Sequence, residues 1–579
     1  MTTNQNNPLA HGTDRPETVD VPGLSRRKFL GGIGGAAAAA MATSVVGSVA
    51  LEPLVNDAAV TEAANAGTAM IHRRQRSWQL RKDTADFWKG QATVQHAVNG
   101  DETRYANRIG NFSKGLPHNS FGEVDANAYQ SLLDAIDSGD PADFDAIILD
   151  GPNKLTSPQG GLAFDLEGAD SHALTVPAPP AIASAEMAGE GVEHYWMKLL
   201  LDVNFLDYNS HPDAAAASAN LNQFGADFKG PRIGGQVTPQ SLFRDVLPGA
   251  TVGPYISQFM WLNTPFGTEY VERRQRTLLP DTNHLTSYSN WLAAQNGYFP
   301  ESAAADFDPV RRYIRNGRDL AQWVHIDVLF QAYFNACLIM GTPPSSDPLS
   351  GGIGCPPNPG NPYIGNPTQI GFTTFGPPHF KALVCEVASR ALKVTWHKKW
   401  QISRRLRPEA WGGLVHNQIT SNRYPGVIDS RQINSPAVAR TFTKYGTYLL
   451  PQVFPEGSPT HPSYTAGHAT VAGACVTILK ALFDENFVIP NPVVPTPDGL
   501  ALVPYTGPAL TVGGELNKLA SNVATGRNIA GVHWRSDAIE SMRVGEALAI
   551  SILRDQRACY NEPFNGFTFT KFDGSTVTV

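Results

Sequence analysis

The stretch "SPTHPSYTAGHATVAGAC", Ser458 to Cys475, carries two histidines seven apart, His461 and His468, followed by small residues where a core helix would carry Leu or Ile. Pro462 can occupy a first helical turn with His461 just outside it. Backbone N–H groups at such a terminus point outward and attract anions. The small residues Ala466, Gly467, Ala469, Ala472, Gly473 and Ala474 let another helix, or an anion, approach closely. Taken alone, the stretch reads equally well as a tightly packed helix pair bearing two incidental histidines.

Two further clusters lie nearby in sequence. In "WHKKWQISRRLRPEAWGG", Trp396 to Gly413, Lys399 and Arg407 are eight apart, and Pro408 makes Arg407 a helix-end residue, because the position before proline avoids helical angles. Cations at a helix C-terminus have a simple electrostatic explanation. In "ATGRNIAGVHWRSDAIE", Ala524 to Glu540, six residues separate Arg527 from His533. That is about 600° of ideal helical turn, so an unbroken helix would point them apart. Gly531 supplies a break that lets both converge. His533 then falls near the start of a second helix, whose N-terminus disfavours imidazolium. Asp537 four residues on can orient His533 or serve only as a first-turn acid.

Together the clusters supply three cations (Lys399, Arg407, Arg527), a backbone donor (Gly467), a titratable acid/base (His468) and a nitrogen nucleophile (His533). This set suits a tetrahedral or trigonal-bipyramidal oxyanion. Phosphate, with His533 forming a phosphohistidine, and vanadate, with His533 as the single covalent ligand, both fit.

The rest of the chain sets the frame. Its 579 residues, 42% hydrophobic, can bury a sizeable core, and the formal charge of −7 argues against a nucleic-acid partner. Residues 1–50 contain Arg26-Arg27 before a Gly/Ala-rich run, the pattern of a twin-arginine export signal, so the mature protein is expected in the periplasm or outside the cell with no stable membrane anchor. Five cysteines show no CxxC or CxxCH spacing, which removes c-type haem, zinc-ribbon and thioredoxin-like signatures. Residues 51–345 read as an N-terminal helical region, including one strong helix from Asp319 to Met340. Residues 346–378 form a Gly/Pro-rich loop. Residues 379–579 form a C-terminal helical region, with patterns at 379–404, 434–449, 463–484, 514–526 and 534–555. Strand-like alternation is scarce outside the tail "FTFTKFDGSTVTV". The expected class is all-α.

These motifs resemble those of the vanadium-dependent haloperoxidases, of the superfamily shared with type-2 phosphatidic acid phosphatases, and most of all the algal bromoperoxidases and their bacterial relatives. The likeness rests on "KWQ…RPEA.GG" (Lys399–Gly413), "EGSPTHPSY..GHAT" (Glu456–Thr470) and "GR….GVH…D" (Gly526–Asp537). It extends to "NFSKGLPHNSFGEVDANAY" (Asn111–Tyr129), "GPYISQF" (Gly253–Phe259) and "GRDLAQWVHIDVLFQAYFNACL" (Gly317–Leu338), and so covers the chain from about residue 75 onward.

The resemblance implies two four-helix bundles with added helices and long Gly/Pro-rich loops, assembled as a homodimer or larger homo-oligomer. It implies a vanadate cofactor held by His533 as metal ligand, with Lys399, Arg407, Arg527 and the Gly467 amide on its oxygens. His468 would act as acid/base, Lys399 would polarise bound peroxide, and His461 would lie in the pocket as a second histidine. Hydrogen peroxide would oxidise bromide or iodide to hypohalous acid, which halogenates an organic acceptor. The same residues would serve an exported acid phosphatase with His533 as nucleophile. One departure stands out: the family's "PSGH" reads "TAGH" here, so Ala466 replaces a serine whose hydroxyl would contact the oxyanion.

Overall fold

The computed structural model describes residues 73–302, 306–347 and 349–579. The twin-arginine segment lies outside the described residues. The first described helix runs from Arg73 to Lys89, and residues Leu80–Val579 form one compact unit. The nine helices that position the site are α1 (Ala126–Ser138), α2 (Ala185–Leu199), α3 (Gly317–Trp323), α4 (Gln331–Gly341), α5 (Pro377–His397), α6 (Pro408–Ser421), α7 (Gly467–Leu482), α8 (Val512–Ala530) and α9 (Arg535–Arg557). Strand is confined, among the described residues, to three antiparallel two-stranded hairpins: Thr264–Phe266 with Glu269–Val271, Val493–Pro495 with Leu502–Pro504, and Thr568–Thr570 with Thr576–Thr578. The last is the alternating tail. The protein is helix-rich, as its sequence patterns predict.

Helix α7 is the axis of the core. Every residue from Ala469 to Leu482 is buried, and a helix apolar on all sides belongs inside a larger bundle. It packs against α5, α8 and α9. The small residues permit this. A Cβ added at Gly473 would lie 2.0 Å from the Met542 carbonyl oxygen of α9, and one at Gly545 of α9 would lie 2.1 Å from the Thr470 carbonyl oxygen of α7. The two glycines let the helix backbones touch reciprocally, which no other residue allows. The five cysteines are all free thiols, and Cys475 is a buried packing residue of α7.

Three sequence expectations need correction. The helix expected from Asp319 to Met340 is two helices, α3 and α4, separated at Val324–Phe330. Arg527 NH1 donates to the Val324 carbonyl at 2.9 Å, and the Gln331 side chain accepts from the Val328 amide at 3.0 Å, so each helix end has a partner that a continuous helix would not need. Pro462 does not open a helix: α7 begins five residues later at Gly467, with Ala466 as its N-cap. Arg407 does not end a helix. It is the extended N-cap of α6, which Pro408 opens, while α5 widens into a π-helical turn over Lys398–Ser403 that Arg404 closes at a φ of 40°.

Behind α9 runs a buried ionic ladder on α2. Glu193 accepts from Arg535 Nε at 2.9 Å, and Glu190 pairs with Arg405 at 3.4 Å, which in turn donates to Asp537 at 2.7 Å. Among the described residues no helix is long and apolar enough to cross a membrane.

Gly473→Ala or Gly545→Ala should destabilise the protein by about 1–3 kcal/mol through overpacking, read as a lower denaturation midpoint; an unchanged midpoint would show that α7 and α9 can separate at no cost. Acid should destabilise it as well. Burial pushes His118 down to about 4, His194 to about 3 and His397 to about 4. Each is neutral when folded but binds a proton when unfolded below about 6.5. Their contribution to stability is therefore complete above that pH and is lost as the pH falls toward 4, at up to ~1.4 kcal/mol per pH unit for each group. Thermal melts between pH 7 and 4 should show this fall in Tm.

Candidate functional site

The three clusters meet at one cavity of about 440 Å³, lined by His461, Gly467, His468, Arg527 and His533, together with His325, Asp327, Trp396 and Glu456. Gly531 does what the sequence suggests. It ends α8 in a left-handed conformation, φ 88°, and the turn brings Arg527 and His533 to the same cavity. Lys399 and Arg407 do not line the cavity but support it. Arg407 NH1 lies 3.1 Å from His533 Nε2, and its NH2 lies 2.9 Å from His461 Nδ1. Lys399 Nζ donates to the carbonyls of Pro462 at 2.6 Å and Ser463 at 2.8 Å.

His533 is oriented from behind. Its Nδ1 lies 3.1 Å from Asp537 Oδ2, and the same carboxylate accepts from the Trp534 amide at 3.1 Å and from Arg405 at 2.7 Å. Asp537 thus serves both as first-turn acid and as the orienting partner of the imidazole. An acceptor at Nδ1 fixes the proton there and leaves Nε2 as the acceptor nitrogen, where Arg407 NH1 lies at 3.1 Å. Ser463 Oγ lies 3.3 Å from the same Nδ1 and donates to Asp537. His461 is tilted against Trp396 with ring centres 4.9 Å apart. His468 Nε2 contacts Asp327 Oδ1 at 2.9 Å.

The electrostatics suit an anion. Lys399, Arg407 and Arg527 are all buried, yet among the described residues none of them has a carboxylate in ion-pair contact. Burial, and then the Arg407 charge, pulls Lys399 well below its ordinary value. Burial and the Arg527 charge pull Arg407 down to about 9. Burial, then Arg407, Lys399 and Arg527, holds His533 strongly neutral. Arg527 Nε is buried without a hydrogen-bond partner. The Gly467 and His468 amides open α7 and have no intrahelical acceptor. Ala466 adds no capping hydroxyl, and the Thr465 hydroxyl beside it is buried without a partner. Among the described residues no group of three or more His, Cys, Asp or Glu could hold a metal cation. The donors therefore fit a group bound through one imidazole and many hydrogen bonds, which is how an oxyanion such as vanadate is held.

A family model and several known proteins match this chain. A family model described as the VCPO second helical-bundle domain matches residues 383–562. The vanadium-dependent bromoperoxidase of Corallina officinalis is 34% identical over 606 aligned positions, covering 88% of this chain and 98% of that protein. The vanadium-dependent bromoperoxidase of Ascophyllum nodosum is 34% identical, covering 84% and 89%. This chain belongs to the vanadium-dependent haloperoxidase family. Among solved structures, the homohexameric vanadate-dependent bromoperoxidase AnII from Ascophyllum nodosum superposes with a TM-score of 0.81 at 32% identity, covering 87% of this chain and 90% of that one.

For a haloperoxidase, the cavity holds more acid–base chemistry than sequence reasoning found. His325 and Asp327 escaped it because "VHIDV" reads as helix interior, although two titratable residues in an apolar run were a usable signal. Glu456 sits in the matched "EGSPTHPSY" stretch, and nothing local marks it as a cavity residue. Arg405 and Glu190 are separated by 215 residues, and no spacing rule connects them.

Added orthovanadate or phosphate should raise the Tm, by an amount equivalent to about 2.7 kcal/mol at a hundredfold excess over Kd. Arg527→Met removes an unpaired buried charge together with the donor to the Val324 carbonyl, two opposing effects, so the anion-free protein should change in stability by no more than about 1–3 kcal/mol. The same variant should bind the anion about ten- to a hundredfold more weakly, the worth of one charge-assisted hydrogen bond. Isothermal titration beside thermal melts checks both; a strongly destabilised anion-free variant would contradict the picture of an unpaired cation.

Proposed function

We propose that this protein is a vanadate-dependent haloperoxidase that uses hydrogen peroxide to oxidise bromide or iodide to hypohalous acid, which then halogenates organic acceptors. The observation that carries this reading is the trio of buried cations, none of them ion-paired with a carboxylate among the described residues, near His533, whose Nδ1 is held by Asp537 and whose Nε2 is left as acceptor. Vanadate, when bound, supplies a Lewis acid that makes peroxide oxygen electrophilic. The chain's residues do the rest. His533 Nε2 is the ligand, and Lys399, Arg407, Arg527 and the Gly467 amide balance the charge. His468, tethered at Nε2 by Asp327, takes the proton of incoming peroxide at Nδ1. Lys399 would supply the positive charge that polarises the peroxide substrate, and His461, held against Trp396, shapes the cavity wall.

Other parts of the reading rest on the family. The related bromoperoxidases are named for bromide, which makes bromide the first halide to test. The homohexameric AnII neighbour favours a homo-oligomer here. The arrangement as two four-helix bundles, and export through the twin-arginine signal to the periplasm or cell exterior, belong to the same proposal.

Bromide oxidation should appear only with peroxide and orthovanadate together, and phosphate should suppress it by competing for the site. Hydrolysis of a phosphate ester without peroxide, in place of bromination, would favour the phosphatase reading with His533 as nucleophile. Ala466→Ser should restore one hydrogen bond to a charged group and tighten vanadate by about ten- to a hundredfold. Unchanged affinity in that variant would show that the alanine costs nothing.

A further inference from the structure

The cavity contains a second imidazole–carboxylate pair that the scheme above does not use. His325 Nε2 lies 2.6 Å from Glu456 Oε1. Both residues line the cavity, and their side chains keep 24% and 29% exposure. The imidazole is fixed in place: its ring lies flat on Phe454, centres 3.6 Å apart and planes 9° from parallel. Phe454 in turn faces the Arg527 guanidinium at 5.6 Å. The Glu456 backbone is held from the other side, where buried Lys114 Nζ donates to its carbonyl at 2.6 Å.

The segment that delivers His325 points to function more than to packing. Between α3 and α4 the chain alternates: His325, Asp327 and Leu329 line the cavity, while Ile326 and Val328 between them are 68% and 57% exposed. Breaking an apolar helix to expose two β-branched residues gains no core. It does place one titratable side chain in the cavity, His325, and a carboxylate on another, Asp327 on His468.

The chemistry has a use for such a group. Peroxide oxidation of bromide follows Br⁻ + H₂O₂ + H⁺ → HOBr + H₂O. Bromide gives an electron pair to one peroxide oxygen and is oxidised, the O–O bond breaks, and the other oxygen is reduced and leaves as water. The proton that His468 takes from peroxide can be returned, but one more is consumed in each turnover and must come from solvent. Lys399 and Arg407 are buried and committed to backbone carbonyls and histidines, and Arg527 is committed to the Val324 carbonyl. His461 accepts from Arg407, and His533 is the ligand.

We propose that His325 and Glu456 form a proton-supplying pair, which takes a proton from solvent at the cavity mouth and delivers it inward to the departing oxygen, separately from His468. This rests on the haloperoxidase reading above. The charged and titratable groups facing the pair are Lys114 behind Glu456, Arg527 across Phe454, and Asp327 with His468 along the same segment. Burial pushes the Glu456 carboxyl up, but the hydrogen bond and charge of His325 outweigh it and leave it below its ordinary value, as suits a carboxylate partner to an imidazole.

The test uses the full chain loaded with vanadate. His325→Phe keeps the stack on Phe454 and removes the titrating group; Glu456→Gln removes the carboxylate. Vanadate affinity by isothermal titration should stay within about twofold of wild type, since removing neither group takes a donor from the anion. The kcat for bromide oxidation should fall about a hundredfold at pH 8, the usual worth of a general acid. The deficit should shrink toward pH 5, where solvent supplies the proton, and added imidazole should partly restore His325→Ala. A wild-type pH profile in His325→Phe, or vanadate affinity lost in step with kcat in both variants, would overturn the proposal. A wild-type protein that binds vanadate yet oxidises neither bromide nor iodide would end the haloperoxidase reading itself, and this inference with it.

Discussion

Burying one unpaired cation costs several kcal/mol, and this protein buries three around one cavity. Lys399, Arg407 and Arg527 come from the end of α5, the start of α6 and the end of α8. Their partners are carbonyl oxygens and imidazoles, acceptors that solvate charge without neutralising it. The carboxylates nearby are committed elsewhere: Asp537 to Arg405 and His533, Glu190 to Arg405, Glu193 to Arg535. The ladder keeps its negative charge one layer behind His533, where it orients the imidazole, and Asp327 and Glu456 at the cavity act on Arg527 only from beyond ion-pair distance. That separation makes the site a receptor for an anion from outside.

Helix packing makes the separation possible. The reciprocal contact of Gly473 and Gly545 draws α7 onto α9, so the amide-bearing start of α7 and the His533-bearing entry to α9 end on the same cavity. A helix start contributes positive field and free N–H donors without adding a titratable group. The stretch of small residues therefore serves packing and chemistry together, and the two readings it allowed in isolation are one arrangement.

Much of this was legible because the informative residues are local. Gly531 marks the turn that lets Arg527 and His533 converge, and the three motif stretches carry the cations and histidines that meet. What escaped was set by tertiary contacts. The break at Val324–Phe330 has no Gly or Pro to announce it; it is stabilised by Arg527, some 200 residues away in sequence, through the Val324 carbonyl. The start of α7 moved from Pro462 to Gly467 because Lys399 and Arg407 hold the backbone carbonyls of His461, Pro462 and Ser463 outside any helix. In both cases a cation of the site overrides local helix preference.

That override ties the fold to its chemistry in a second way. Each cation of the site also holds backbone: Arg527 the end of α3, Lys399 and Arg407 the loop before α7. An arriving oxyanion must share these donors with the carbonyls, and a guanidinium with five N–H groups can do so without releasing either partner. Lysine has three donors, two of which Lys399 already spends on Pro462 and Ser463, leaving one uncommitted. The arginines can therefore hold an anion at rest, whereas the single remaining donor of Lys399 suits a contact that strengthens only as charge develops during reaction.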